Sequence, residues 1–97
     1  MKLFLMTQDE VVGYDYYDSV VVAAESEDDA RTIHPYARVT LIDNNKWMIS
    51  PSFGWCTPEE YISDEWPEHS NIKCVNVEYL GETDKPRGVI LASFNAG

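Results

Sequence analysis

Three sets of residues have side chains suited to chemistry. His34, Cys56, His69 and Cys74 are the candidate metal ligands, separated by 21, 12 and 4 residues. Structural zinc sites bring their ligands in close pairs such as C-x2-C or H-x3-H. No such pair is present, so the expectation is two surface histidines, two packed thiols and no metal. The thiols are expected to be reduced in a cytosolic setting, because sequence alone does not bring their Cα atoms within bridging distance. Cys56 precedes a candidate helix start, where the helix dipole would lower a thiol pKa. The carboxylates around it push the other way, and a cysteine also serves as a small buried apolar residue. Asp9 to Asp18 and Ser26 to Asp29 gather carboxylates. Neither has the alternating oxygen ligands, central glycine and terminal glutamate of an EF-hand loop.

The acidic residues are the most conspicuous set. Glu59, Glu60, Asp64, Glu65 and Glu68 fall in a stretch, Thr57 to Ser70, that holds no Lys or Arg; Asp15 and Asp18 form a second group among Tyr14, Tyr16 and Tyr17. Carboxylate pairs perform acid–base catalysis, but where acids are this abundant no pair is specific. No phosphate-binding loop is present: Lys85 and Arg87 lie in a turn region without GxxxxGK[ST] or GxGxxG. No catalytic residue, cofactor or metal is therefore assigned, and the chain is expected not to be an enzyme.

These residues must be positioned by strands and short helices. Lys2 to Met6 reads as a strand with apolar residues on both faces, hence central. Gln8 to Asp18 reads as a polar, tyrosine-rich loop. Ser19 to Ala24 is a second strand, built on Val20, Val21 and Val22. Ser26 is an N-cap followed by Glu27, Asp28 and Asp29 in the first turn. That helix should reach Thr32 to His34 and stop at Pro35, with Ala30 and Ile33 facing the sheet. Val39 to Ile42 and Lys46 to Ile49 flank Asp43-Asn44-Asn45 as a hairpin. Thr57-Pro58-Glu59-Glu60 predicts a second helix, running to about Ser63. Ile72 to Leu80 and Val89 to Phe94 are expected to pair as a hairpin across the Gly81 to Gly88 turn. The sum is an α+β fold: an antiparallel or mixed sheet of about four to six strands with one or two short helices on one face.

Composition sets the outer bounds. The 97 residues imply one domain, 1–97. Hydrophobic residues make up 44%, the ordinary globular value, so a packed core is expected. No stretch approaches the ~20 apolar residues of a membrane span. The apolar start, Met1 to Met6, is too short for a signal peptide, so the default compartment is the cytoplasm. Seventeen acidic against seven basic residues give a net charge of −10. Such a chain is repelled by nucleic acid and by anionic membranes and lacks the basic footprint of a nucleic-acid binder. Solubility accounts for such a charge. So does an acidic surface that imitates a nucleic acid or complements a basic partner.

Met1-Lys-Leu-Phe-Leu, Tyr14-Asp-Tyr-Tyr-Asp-Ser-Val-Val-Val-Ala-Ala-Glu, Asp29-Ala-Arg, His34-Pro and the closing Gly88-Val-Ile-Leu-Ala-Ser-Phe-Asn-Ala-Gly resemble a group of small, uncharacterised proteins encoded by tailed phages and prophages. The resemblance covers both ends, about half the chain, but not Tyr36 to Asn71. It implies an accessory protein acting in the cytoplasm of a bacterial host cell. It implies no activity and no site residues. With the charge, it leads to the expectation of a binder or inhibitor of a host protein with a basic surface, acting through Glu59, Glu60, Asp64, Glu65 and Glu68, then Asp15 and Asp18. A small-molecule or nucleotide-sequestering protein is the alternative, with the aromatic residues to stack a base and Arg31, Arg38, Lys85 and Arg87 to meet its charge.

Overall fold

Phe4 and Met6 share one face of the first strand, with Leu3 and Leu5 on the other. β-branched Val20 and Val22 share one face of the second, so the Phe4–Met6 and Val20–Val22 faces can join in one apolar surface. In a computed structural model, which describes residues 1–11, 15–36, 39–42, 46–49, 59–60 and 65–96, these faces lie side by side. β1 (Lys2–Thr7) and β2 (Asp15–Ala24) pair antiparallel with Phe4 opposite Val22 and Met6 opposite Val20. β6 (Asn76–Glu82) pairs with β1 and β7 (Gly88–Ala96) with β2, giving an antiparallel sheet of order β6-β1-β2-β7. A second antiparallel sheet joins β3 (Val39–Ile42), β4 (Lys46–Ile49) and β5 (Glu59–Glu60) in that order. The helical segments are α1 (Glu27–Ala30) and a 3-10 helix, His69–Cys74. The class is α+β, and β1 is central as its two-sided apolar pattern requires.

One face of the larger sheet carries the core. Phe4, Met6, Val20, Val22 and Ala24 pack under Ala30 of α1, Ile33, Val39 and Trp47 of the small sheet, Trp66, and Ile72 of the 3-10 helix. Both helical segments therefore sit on the same side. Each Val, Ile, Phe or Met side chain removed from water here contributes about 1.5–3 kcal/mol. The indole of Trp47 is buried but keeps its hydrogen bond, Nε1 donating to the Pro67 carbonyl at 2.9 Å.

Ser26 caps α1 as the sequence requires: its Oγ accepts from the Asp29 N–H at 3.1 Å, and Asp29 Oδ2 accepts from the Glu25 N–H at 3.0 Å. The helix is shorter than its pattern predicts. After Ala30 the bonding tightens from i→i−4 to i→i−3, with Thr32 N donating to Asp29 O and Ile33 N to Ala30 O, both at 3.0 Å. Ile33 still reaches the core from this tight turn.

Four further expectations are corrected. β6 and β7 do not form a hairpin; they are the two edges of the sheet. Thr83 to Arg87 instead crosses the ends of β1 and β2, a distance of about 14 Å for three strand spacings. It is held there by Thr83 N donating to Met1 O at 2.9 Å and by Arg87 bonding to Asp29 of α1. Ile72 and Cys74 belong to the 3-10 helix, which turns Ile72 into the core, and the strand begins only at Asn76. Glu59 and Glu60, expected in a helix, form β5 by pairing with Ile49 and Met48. A seven-residue helix lacks the length to stand on its own, and the free edge of β4 supplies backbone partners. Finally, β2 starts at Asp15, not Ser19, because β7 extends to Ala96 and pairs with it.

Candidate functional site

β2 and the turn after α1 bring a row of rings to the seam between the two sheets. Phe94 of β7 meets Tyr17 of β2 edge to face, with centroids 4.8 Å apart. Tyr17 meets His34 at 6.5 Å, His34 meets Trp47 at 5.1 Å, and Trp47 meets His69 at 5.4 Å, each close to perpendicular. Offset and perpendicular ring pairs place the positive edge of one ring on the negative face of the next. His34 is 1% exposed, so the expectation of a surface histidine is wrong for it. The signal was its apolar setting, Ile33-His34-Pro35-Tyr36. Its Nδ1 accepts from the Tyr36 N–H at 2.9 Å, which fixes the neutral Nε2–H tautomer. Burial pushes its pKa down to about 4. Tyr17 shifts the other way: burial, then the Glu65 carboxylate, then Tyr36 raise its phenol.

Beside this row lies a cavity of about 560 Å³. Ile33, Val39, Leu41 and Val89 form aliphatic walls, and Thr32, His34 and Arg87 supply the polar groups. The Arg87 guanidinium is tied at one edge: Nε donates to Asp29 Oδ1 and Oδ2 at 3.1 and 3.0 Å, and Nη2 to Thr32 Oγ1 at 2.7 Å. Its hydrogen bond is the main force holding the Asp29 carboxyl below its usual pKa. Among the described residues nothing accepts from Nη1, so the outer edge of the fork keeps its donors. Of the other candidate cations, Arg31 is paired with Glu27 at 2.9 Å, Lys85 is exposed, and Arg38 lies outside the described residues.

The predicted acidic residues are only partly gathered. Glu65 lies against β2, its carbonyl accepting from Tyr17 N at 2.8 Å, so it joins the Asp15 and Asp18 group. Glu65 and Asp18 are half-buried; Glu68 is exposed at the start of the 3-10 helix. Glu59 and Glu60 sit on the outer strand of the small sheet, and Asp15 opens β2. Asp64 lies outside the described residues, as do Cys56, Tyr14 and Trp55. Exposed carboxylates also line the opposite end of the larger sheet, at Glu25, Glu27, Asp28 and Glu82.

Of the aromatic residues that could stack a base, Trp47 and Trp66 are buried, and Tyr17 and Tyr36 pack on the core. Burial, then Glu10 and Asp9, push the Cys74 thiol pKa up, the reverse of an activated nucleophile. Among the described residues no three His, Cys, Asp or Glu side chains converge as metal ligands, and no helix is long and apolar enough to cross a membrane. Comparison with known protein families, with curated proteins and with solved structures finds no match.

Proposed function

We propose that the chain is a non-enzymatic binding protein, a phage-type accessory factor that engages and inhibits a host-cell protein through that protein's basic surface. The observation that carries this reading is the charge of −10 on 97 residues. Arg31 and Arg87 are committed to Glu27 and Asp29, while Asp9, Glu10, Glu68, Glu78 and Asp84 stand exposed. A surface of this kind speeds association with a basic partner and makes the complex salt-sensitive. Its binding groups are Glu59, Glu60, Asp64, Glu65 and Glu68, with Asp15 and Asp18 second, and the spacing of such carboxylates can imitate nucleic-acid phosphates.

The immobilised protein should retain one basic host protein from bacterial lysate at low salt and release it at moderate salt. Replacing Glu59, Glu60, Asp64 and Glu68 together by Lys should abolish that retention while the circular dichroism spectrum is kept. Retention that survives the replacement would overturn the assignment.

One observation favours a second reading, a small-molecule or nucleotide-sequestering protein: the cavity, whose volume lies within the usual range for ligand sites. The untied edge of Arg87 would meet a phosphate or carboxylate and the aliphatic walls an apolar body. A set of nucleoside monophosphates should then raise the melting temperature, and Arg87→Gln should remove the rise. A melting temperature unmoved by every member would end this reading.

A further inference from the structure

The two edges of the four-stranded sheet differ in chemistry. β6 carries Glu78 and Glu82, both exposed. β7, Gly88–Ala96, holds no ionisable side chain in its nine residues. It is the one strand of the four without a charge: β1 carries Lys2, and β2 carries Asp15 and Asp18. Among the described residues no strand pairs with the outer edge of β7. Leu91 is 69% exposed there, with Ile90 and Phe94 also in solvent. Sheet proteins that stay monomeric blunt such edges with lysine, proline, bulges or a covering segment. β7 has a register shift at Ile90 and, among the described residues, none of the other devices.

We propose that β7 is a self-association edge: two copies pair β7 against β7, antiparallel about a twofold axis, to form one continuous eight-stranded sheet. Antiparallel pairing of a strand with itself is self-complementary, because each copy offers the same row of donors and acceptors in reverse. Charge selects a second copy over other occupants. A basic protein gains nothing from a neutral strip, whereas two molecules of −10 can approach only where no carboxylates are brought together. At physiological salt, charges beyond the Debye length of about 8 Å are largely screened, and a nine-residue neutral strand holds the charged strands back.

The side chains extend the match. Leu5 lies opposite Val21 and Val21 opposite Leu91, so the three form a row on the face away from the core, ending at the free edge. Pairing through β7 would join two such rows into one apolar stripe. At about 3.3 Å per residue β7 is roughly 30 Å long. A strip about 20 Å wide along it buries roughly 600 Å² per copy, somewhat less than the ~800 Å² of a standard interface. Area alone does not set affinity, and a micromolar constant is the scale tested.

Sedimentation velocity over about 5–300 μM, a range that brackets a micromolar constant, tests this. The protein should pass from monomer to dimer, and higher sodium chloride should tighten the dimer by screening the mutual repulsion. Leu91→Glu should weaken it at least tenfold with an unchanged circular dichroism spectrum. Leu80→Glu, the same charge change on the β6 side, should weaken it far less. A monomer throughout the range, or equal effects of the two substitutions, would overturn the proposal. Salt has the opposite sign for a basic partner, whose complex it weakens, and no host protein enters this measurement. Either idea can therefore fail without the other.

Discussion

His34 is the residue whose environment departs furthest from what its type suggests. It is buried, accepts from the Tyr36 N–H, and is ringed by Tyr17 and Trp47. Its pKa of about 4 lies below the ordinary 6.5. The folded state therefore resists protonation while the unfolded chain does not, and the stability His34 contributes is fully present above pH 6.5. It falls as the pH drops from 6.5 toward 4 and levels off below that. At 1.36 kcal/mol per pKa unit the full loss is about 3 kcal/mol. His34→Asn retains an acceptor for Tyr36 and has no proton to gain. Urea unfolding at pH 7, 5.5 and 4.5 should show a steep fall for the native chain and a flatter one for the variant; equal slopes would place the acid sensitivity elsewhere. Asp29 acts in a separate window. Arg87 holds its pKa below 3.8, so its contribution is present above that value and is lost only as the pH falls further. None of this was legible from spacing, which could compare His34 only with metal-ligand patterns. Its burial depends on Trp47 and Tyr17, brought beside it by strands distant in sequence.

The elements were legible where their causes are local. The apolar alternation of β1, the valines of β2 and the Ser26 cap each act within a few residues, and each appears in the fold. Ser26→Ala should cost about 1 kcal/mol in chemical denaturation, the usual worth of an N-cap. A loss under a few tenths would mean that the Asp29 bond to Glu25 holds the turn unaided. Illegible elements have distant causes. β5 exists because β4 offers an edge, and β7 leaves β6 because β2, far away in sequence, supplies its backbone partners, which also brings Arg87 to Asp29. Gly88 reads as a turn residue in sequence, yet it opens β7 with φ of 143°. A Cβ there would meet nothing within 4 Å, so space is not the constraint; backbone conformation is. Gly88→Ala should therefore destabilise by about 1–3 kcal/mol through strain alone. Gly81 shares this conformation, with φ of 145°, and the same substitution there should cost a similar amount. A neutral result at both positions would show that the crossing from β6 to β7 relaxes freely.

At the scale of the whole molecule, the charge decides how the fold responds to its solvent. The folded chain holds its net charge of −10 within a radius of gyration of 13.2 Å. An unfolded chain of this length spreads over about 30 Å, so folding compresses like charges. Coulomb's law with Debye screening makes this cost roughly 1–2 kcal/mol smaller at 0.3 M salt than at 0.02 M. Salt also weakens the ion pairs Arg31–Glu27 and Arg87–Asp29. Pairs this exposed contribute at most about 1 kcal/mol each and commonly less, so relief of repulsion wins. The melting temperature should rise by roughly 4–16 °C over that range, taking about 4–8 °C per kcal/mol for a domain of this size. A flat or falling curve would mean that ion pairing neutralises the carboxylates better than Arg31 and Arg87 alone can, and the surface would then have little excess charge for a basic partner to read. A rise would establish that the carboxylates strain the free protein. A basic partner would relieve that strain on binding, so its complex should melt higher than the free chain at low salt, with the difference shrinking as salt is added.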